Sequence, residues 1–370
     1  MTGDKKNYNI KNVGKNFCVL GQFLSAAPYG SGHINDTFKV SYDQGGTVND
    51  YIFQRINHFV FKDPLSLMDN ISRVTGHTFK KLTEAGTDYI SRRTLTVIPT
   101  LDGKSCYIDP DGNYWRVYIF IEKAKTYDVI ENPKQAYEAA KAFAAFQGLI
   151  VDIPGPRLVE TIPNFHNTRT RFNTLKQAIE KDEHNRAGEV KEEIAFALER
   201  ESMAGTLLDL VADGKIPERI THNDTKINNV MMDDETSEGI CVIDLDTVMP
   251  GLALYDYGDM IRSSTIPTAE DETDLSKVTM RKDLFEAVSK GYMSVAGEFL
   301  NKTEIEYLPF AARLMTFEVG IRFLTDHLQG DVYFKIHRKN HNLDRCRTQF
   351  KLVQSIEEHT NYMQKFIEGL

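Results

Sequence analysis

Residues 221–259 read THNDTKINNVMMDDETSEGICVIDLDTVMPGLALYDYGD. His222-Asn223-Asp224 is an H-x-D. Asn229 follows Asp224 by five positions, and after a turn-rich gap the apolar run Ile240-Cys241-Val242-Ile243 ends in Asp244-Leu245-Asp246. A lone H-x-D in a long chain carries little weight. The amide five residues on and the acids at a strand end give it meaning, because a buried strand gains nothing from two terminal carboxylates unless they meet a cation.

The spacing is that of a protein-kinase-type catalytic loop, in which the Asp of H-x-D takes or orients the proton of the attacking hydroxyl. The Asn five residues later and an Asp past the next strand hold metal against nucleotide phosphates. The residue types follow from the chemistry. Phosphoryl transfer loads negative charge on oxygens, so it needs hard oxygen ligands for Mg²⁺, and its loose transition state leaves the protein mainly to position and neutralise. On this reading Asp224 is the catalytic acid–base residue, and Asn229, Asp244 and Asp246 are metal ligands.

The 370 residues suffice for two lobes with ample core. The chain is 41% hydrophobic and 26% charged, ordinary for a globular protein. A net charge of −9 argues against a nucleic-acid-binding surface. Cys18, Cys106, Cys241 and Cys346 lie far apart with no C-x-x-C, which suggests a reducing compartment and no zinc knuckle. The opening MTGDKKNYNIKN has no apolar core of a secretory signal, and no apolar run approaches the ~18 residues of a membrane span. The expectation is a cytoplasmic enzyme, a monomer or weak dimer, acting on a small molecule, with no nucleic-acid or membrane partner.

Upstream, Pro28-Tyr29-Gly30-Ser31-Gly32-His33 runs into a strand with Ile34, Phe38 and Val40 apolar, and Tyr51-Ile52-Phe53 starts another. In a kinase lobe the Gly30-Ser31-Gly32 loop would cover phosphates with backbone N–H groups. It is not a Walker A, since no G-K-[ST] occurs. Residues 65–82 have helical spacing, and Val97-Ile98, Cys106–Ile108 and Tyr114–Glu122 read as strands. Strands and one helix, then mostly helices, is an α+β, bilobal, protein-kinase-like order. It places a small β-rich nucleotide-binding lobe at 1–122 and a larger, mainly helical catalytic and substrate-binding lobe at 123–370. Adenine would pair near Glu122, at the end of the last strong strand. Pro133–Ile150 is a helix whose stripe of Tyr137, Ala140, Phe143, Ala144 and Phe146 reads as core. Residues 163–215 read as a helical insertion, with the charged patch 180–186 as a solvated face. Asp256 suits a helix N-cap, and Asp259 a brace of the catalytic loop. Arg322 lies among apolar residues, so it needs a partner: Asp326 in an ion pair, or a polar substrate.

THNDTKINNV, VIDLDTVMPG and YDYGDMIR resemble the aminoglycoside phosphotransferase and choline kinase-like group. PYGSGHINDTF, WRVYIFIEK, GIRFLTDHLQGDVYF and the final RTQFKLVQ helix resemble its N-acetylhexosamine 1-kinase branch. The resemblance implies ATP- and Mg²⁺-dependent phosphorylation of the anomeric hydroxyl of N-acetylglucosamine or N-acetylgalactosamine. It implies Asp224 as base, Asn229 and Asp244 as metal ligands with Asp246 as a further one, and His33, Arg322 and Tyr333 as sugar contacts. Choline, homoserine or an aminoglycoside is the alternative acceptor. The chain departs from a protein kinase at the strand lysine, where Gln54 stands with Arg55 beside it, and at the helix glutamate, where Ser72-Arg73 occur. That departure leaves open a nucleotide-binding pseudokinase.

Overall fold

The computed structural model describes residues 8–30 and 34–370. In chain order the elements are α1 (Ile10–Gly14), β1 (Gln22–Pro28), β2 (Asp36–Asp43), β3 (Val48–Ile56), α2 (Pro64–Glu84), β4 (Tyr107–Ile108), β5 (Tyr114–Ile119), β6 (Ala124–Lys125), α3 (Pro133–Ile150), α4 (Thr168–Lys181), α5 (Lys191–Leu198) and α6 (Thr206–Ala212). They continue with β7 (Arg219–Thr221), β8 (Val230–Asp233), β9 (Gly239–Val242), β10 (Met249–Gly251), α7 (Ala253–Ser264), α8 (Lys282–Ala296), α9 (Lys302–Glu306), α10 (Leu308–Leu328), α11 (His341–Glu358) and α12 (Thr360–Glu368). They form two compact units. The first holds the described residues through Ala124 with Asp152–Ile162 and Cys241–Val248; the second holds Lys125–Val151, Pro163–Ile240 and Met249–Leu370.

The first unit is built on an antiparallel sheet in the order β1-β2-β3-β5-β4. β1 was not legible in the sequence, because its apolar residues do not alternate and the strand is mostly exposed. Strand alternation sorts the sheet's two faces. Phe53, Trp115 and Val117 join Val40, Tyr42 and Phe17 in a core closed by Ile10 and Val13 of α1. Gln54, paired with Arg116, points to the opposite face. Asn9 caps α1, which buries Ile10 and Val13. Asp63 caps α2, with Pro64 in its first turn, and the helix buries Leu67, Ile71 and Val74.

In the second unit α3 starts where the sequence placed it, with Asn132 as N-cap and Pro133 in the first turn. α10 is buried almost all round, as a helix apolar on every side must be, and packs against α4, α7 and α11. The C-terminal part of the chain is helical throughout, as α8, the α9–α10 pair and the α11–α12 pair. All four cysteines are free thiols. Among the described residues no helix is long and apolar enough to cross a membrane.

The α7–α10 contact is close enough to require glycine. A Cβ on Gly258 would lie 2.4 Å from the Ala311 carbonyl oxygen and 2.6 Å from Met315 Cγ. Gly258→Ala is therefore expected to destabilise the fold by about 2 kcal/mol through overpacking. Gly76→Ala in α2, where an added Cβ meets nothing within 4 Å, should stabilise it by about 0.5–1 kcal/mol. Thermal denaturation of both variants checks the pair; equal melting temperatures would contradict it.

Candidate active site

In the second unit, β7 and β10 pair antiparallel, and the chain leaving β7 turns sharply through Asn223, which adopts a left-handed φ of 65°. This turn leaves amides that the loop cannot satisfy itself. Asp256 accepts from the backbone N–H of His222 at 2.9 Å and of Asn223 at 2.7 Å, and from Gln147 Nε2 at 2.6 Å. Asp259 accepts from the Thr225 N–H at 3.0 Å and from Arg262 Nε at 2.8 Å. The N-cap expected of Asp256 is thus corrected: Leu252 caps α7, and Asp256, inside the helix, braces the loop as Asp259 does. Burial pushes the Asp256 carboxyl up, against the opposing pull of His222 and the two amides. The His222 ring is buried, edge-on to Phe143 and Phe146 of α3, and its Nδ1 accepts from the Asp224 N–H at 3.2 Å. The histidine of the motif is a spacer beneath the loop.

Asp224 itself stays partly open. Lys226 Nζ lies 3.0 Å from its Oδ1. Asn229 Nδ2 donates to its backbone carbonyl at 2.8 Å and to Oδ2 at 3.2 Å. Burial works to raise the Asp224 carboxyl, but Lys226, His222 and Arg262 outweigh it and hold the group down at about 2. Asp224 is therefore a carboxylate at neutral pH, able to accept a proton or orient a hydroxyl. Reading from the sequence overlooked Lys226. Its signal was its place two residues after the aspartate, where a side chain on a tight loop can fold back.

The same loop is tied to α10. Buried His166 contacts the Asn223 carbonyl through Nε2 at 2.9 Å and Glu318 Oε1 through Nδ1 at 2.7 Å. Burial raises the Glu318 carboxyl, yet His166, Arg322 and Thr168 together hold it low. One turn further along α10, the Arg322 guanidinium lies over Phe165 at 5.1 Å, Phe334 at 5.6 Å and Tyr333 at 6.0 Å. Arg171 is close enough that burial and the Arg322 charge lower its proton affinity, and it anchors the Phe165 carbonyl at 3.0 Å.

The ion pair with Asp326 weighed for Arg322 does not form. Asp326 spends its carboxylate on the backbone N–H groups of Val332 at 2.9 Å, Tyr333 at 2.7 Å and Phe334 at 2.9 Å, not on Arg322. It clamps the loop that carries Tyr333. Gly330, at φ 89°, lets the chain turn there, and a Cβ on it would meet His184 Nε2 at 2.6 Å. Arg186 donates to Asp331 Oδ2 at 2.6 Å and to the His327 carbonyl at 2.7 Å. The patch 180–186, read as a solvated face, therefore contributes a structural clamp at its end.

In the first unit, Asp244 follows β9 with a left-handed φ of 57° and opens the short turn Leu245–Thr247. Asp246 is buried in an ion pair with Arg116, and its second oxygen accepts from Asn35 Nδ2 at 2.6 Å. Gln54 accepts from Arg116 Nε at 2.9 Å and donates to Thr37 Oγ1 at 3.0 Å. Where a protein kinase has its strand lysine, β3 carries Gln54, which bonds across the sheet to Arg116 of β5. Its signal in the sequence was a charge inside the apolar run YWRVYIFIE. Arg55, weighed as a stand-in, pairs with Asp36 at 2.6 Å. Gly30 has φ 81°; Ser31, Gly32 and His33 lie outside the described residues. Glu122 is exposed, and its carbonyl accepts from Arg92 Nε at 3.2 Å.

The donor chemistry suits Mg²⁺. Asn229 spends its amide nitrogen on Asp224, so its amide oxygen is the end left to face a cation. Among the described residues no group of three His, Cys, Asp or Glu could hold a metal on protein ligands alone. Mg²⁺ needs none, since it typically takes one or two protein ligands plus phosphate oxygens and water.

A family model described as the phosphotransferase enzyme family matches residues 25–278. Among solved structures, the chain is similar to an aminoglycoside phosphotransferase from Alicyclobacillus acidocaldarius subsp. acidocaldarius, at 12% identity and a TM-score of 0.62, covering 99% of this chain and 98% of that one. It is similar to a choline kinase from Cryptosporidium parvum Iowa II at 16% identity and a TM-score of 0.55, covering 95% and 96%. It is also similar to a spectinomycin phosphotransferase solved with ADP and spectinomycin, at 15% identity and a TM-score of 0.54, covering 95% and 97%. At these identities the likeness shows the fold: a small antiparallel-sheet lobe and a larger helical lobe of the protein-kinase-like type.

Lys226→Met removes the main counter-charge that holds Asp224 low. The Asp224 pKa then rises, and the acid limb of kcat/KM moves to higher pH by roughly one unit or more, while Lys226→Arg, which keeps the charge, shifts it less. The pH–rate profiles of the two variants check this. An acid limb that stays in place in Lys226→Met would contradict the pairing.

Proposed function

The chain belongs to the phosphotransferase enzyme family, and on that premise we propose that it transfers the γ-phosphoryl group of ATP to the anomeric C1 hydroxyl of an N-acetylhexosamine, N-acetylglucosamine or N-acetylgalactosamine. The C1 oxygen attacks the γ-phosphorus, the bond from that phosphorus to the bridging oxygen breaks, and the hydroxyl proton passes to Asp224. The products are the sugar 1-phosphate and ADP. Asn229 and Asp244 are the proposed Mg²⁺ ligands, and the ion neutralises phosphate charge when bound. Lys226 adds a fixed ammonium beside the base. Asp246, engaged by Arg116 and Asn35, serves the nucleotide half from behind Asp244. The phosphate loop at Gly30-Ser31-Gly32 and the adenine contact at Glu122 belong to the same proposal.

The observation that carries the choice of acceptor is Arg322 on its aromatic shelf. Phe165, Tyr333 and Phe334 are rings that could wrap a quaternary ammonium such as choline, but the Arg322 guanidinium already lies over them, and Arg171 adds a second positive charge nearby. A cationic acceptor would be repelled there. A neutral sugar offers hydroxyl and acetamido oxygens that accept from a guanidinium and stack on aromatic faces. His33 joins Arg322 and Tyr333 as a proposed sugar contact. An ammonium-bearing acceptor, whether choline, homoserine or an aminoglycoside, is the rival reading.

ATP consumption measured with N-acetylglucosamine, N-acetylgalactosamine, choline, homoserine and kanamycin tests the proposal. Turnover with the two sugars supports it, and turnover with an amine alone overturns it. Asp224→Asn should lose two to three decades in kcat with nucleotide binding near normal, roughly the range of a general-base contribution. Arg322→Ala should lower sugar kcat/KM about 10- to 100-fold, the scale of a lost charged hydrogen bond.

A further inference from the structure

The Arg116–Asp246 pair is an expensive way to fill a core. Both side chains are almost wholly buried, at 1% and 4% exposure. Desolvation of two ions offsets most of their attraction, and apolar replacements of such pairs are often neutral or stabilising. The pair is better explained by what it joins. On one side, Arg116 is fixed by Gln54 of β3, which is itself held by Thr37 of β2. On the other, the free oxygen of Asp246 accepts from Asn35, just before β2, and Asn35 Oδ1 accepts from the Asn57 N–H at 3.0 Å. The Asp246 backbone carbonyl accepts from Thr161 Oγ1 at 2.8 Å, and Asn70 of α2 donates to the Val248 carbonyl at 3.1 Å. Asp244 sits two residues before Asp246 in its left-handed turn, close enough for its charge to act on Arg116.

We propose that Asp246 is a positioning residue, the centre of a buried latch formed with Arg116 and Asn35 that ties the chain entering β2 to the Asp244 turn. In protein kinases a strand lysine and a helix glutamate must both be in place for activity. Here the latch does the positioning with the signs exchanged between elements: the cation on β5 and the carboxylate on the metal-ligand turn. The inference deepens the phosphotransferase reading above and rests on it for the identity of the nucleotide. It assigns Asp246 to the loop and not to the metal.

The test uses the full-length protein with Asn35→Ala, Asp246→Asn, the double variant and Arg116→Lys. Asp246→Asn turns its one amide oxygen to Arg116 and presents its NH₂ to the NH₂ of Asn35, so it breaks the Asn35 arm selectively. Measurements are Kd for ADP and ATP by calorimetry with and without Mg²⁺, KM for ATP and for the sugar separately, the Mg²⁺ concentration for half-activation, and the melting temperature. Asn35→Ala is expected to weaken nucleotide binding and raise the ATP KM at least fivefold, with the sugar KM within twofold and the fold intact. In the Asp246→Asn background the same change should alter nucleotide Kd less than twofold, and the Mg²⁺ half-activation of Asp246→Asn should stay within threefold of wild type. Arg116→Lys should retain part of the nucleotide affinity. The latch is overturned if Asn35→Ala binds nucleotide as wild type does, if its effect is undiminished beside Asp246→Asn, or if Asp246→Asn shifts Mg²⁺ half-activation tenfold. If no acceptor is phosphorylated, the functional reading falls, and the nucleotide titrations still decide the latch.

Discussion

Two carboxylates of α7 hold the catalytic loop by its backbone. A chain that reverses through a left-handed asparagine cannot pair its own amides, and a buried unpaired N–H costs as much as a lost hydrogen bond. Asp256 takes the amides of His222 and Asn223, and Asp259 takes that of Thr225. His166 meets the Asn223 carbonyl from the other side. With the backbone fixed, the Asp224 side chain carries none of the loop's backbone amides and, among the described residues, meets only Lys226 and Asn229. Rigidity beneath the loop is what lets one partly open carboxylate keep a defined position.

Charge is distributed by the same logic. Each buried acid on these loops has a cation or several N–H donors in reach: Asp246 has Arg116, Glu318 has His166, Asp259 has Arg262, and Asp326 has three amides. Such arrangements add little net stability, because desolvation takes back most of the gain. They specify geometry: a displaced partner leaves an uncompensated buried charge, so alternative packings are strongly disfavoured.

The loop 330–334 shows how a surface segment is made definite. It carries exposed side chains, Val332 and Tyr333 among them, and little apolar area to hold it. Its order comes from the Asp326 carboxylate beneath its amides and from Arg186, reaching across from the segment between α4 and α5 to Asp331. The helical 163–215 segment therefore contributes to the wall that carries Arg322, through Phe165, Arg171 and Arg186.

The helices α2 and α3 were legible from caps and apolar spacing, signals local to a few turns. Asp224, Asn229 and Asp244 stood out in the sequence because their spacing along the chain is that of a kinase-type catalytic loop. What each does beyond that was decided by contacts between residues far apart in sequence. Gln54 gave no hint that its cation would come from Arg116 across the sheet, and Asp246, read as a metal ligand, gave none that its two oxygens would face Arg116 and Asn35. Asp326 read as an ion-pair partner until three amides were found on it. Short-range pattern determines which elements form and where the H-x-D loop falls; the pairing of buried charges depends on packing between distant segments, and only the tertiary structure decides it.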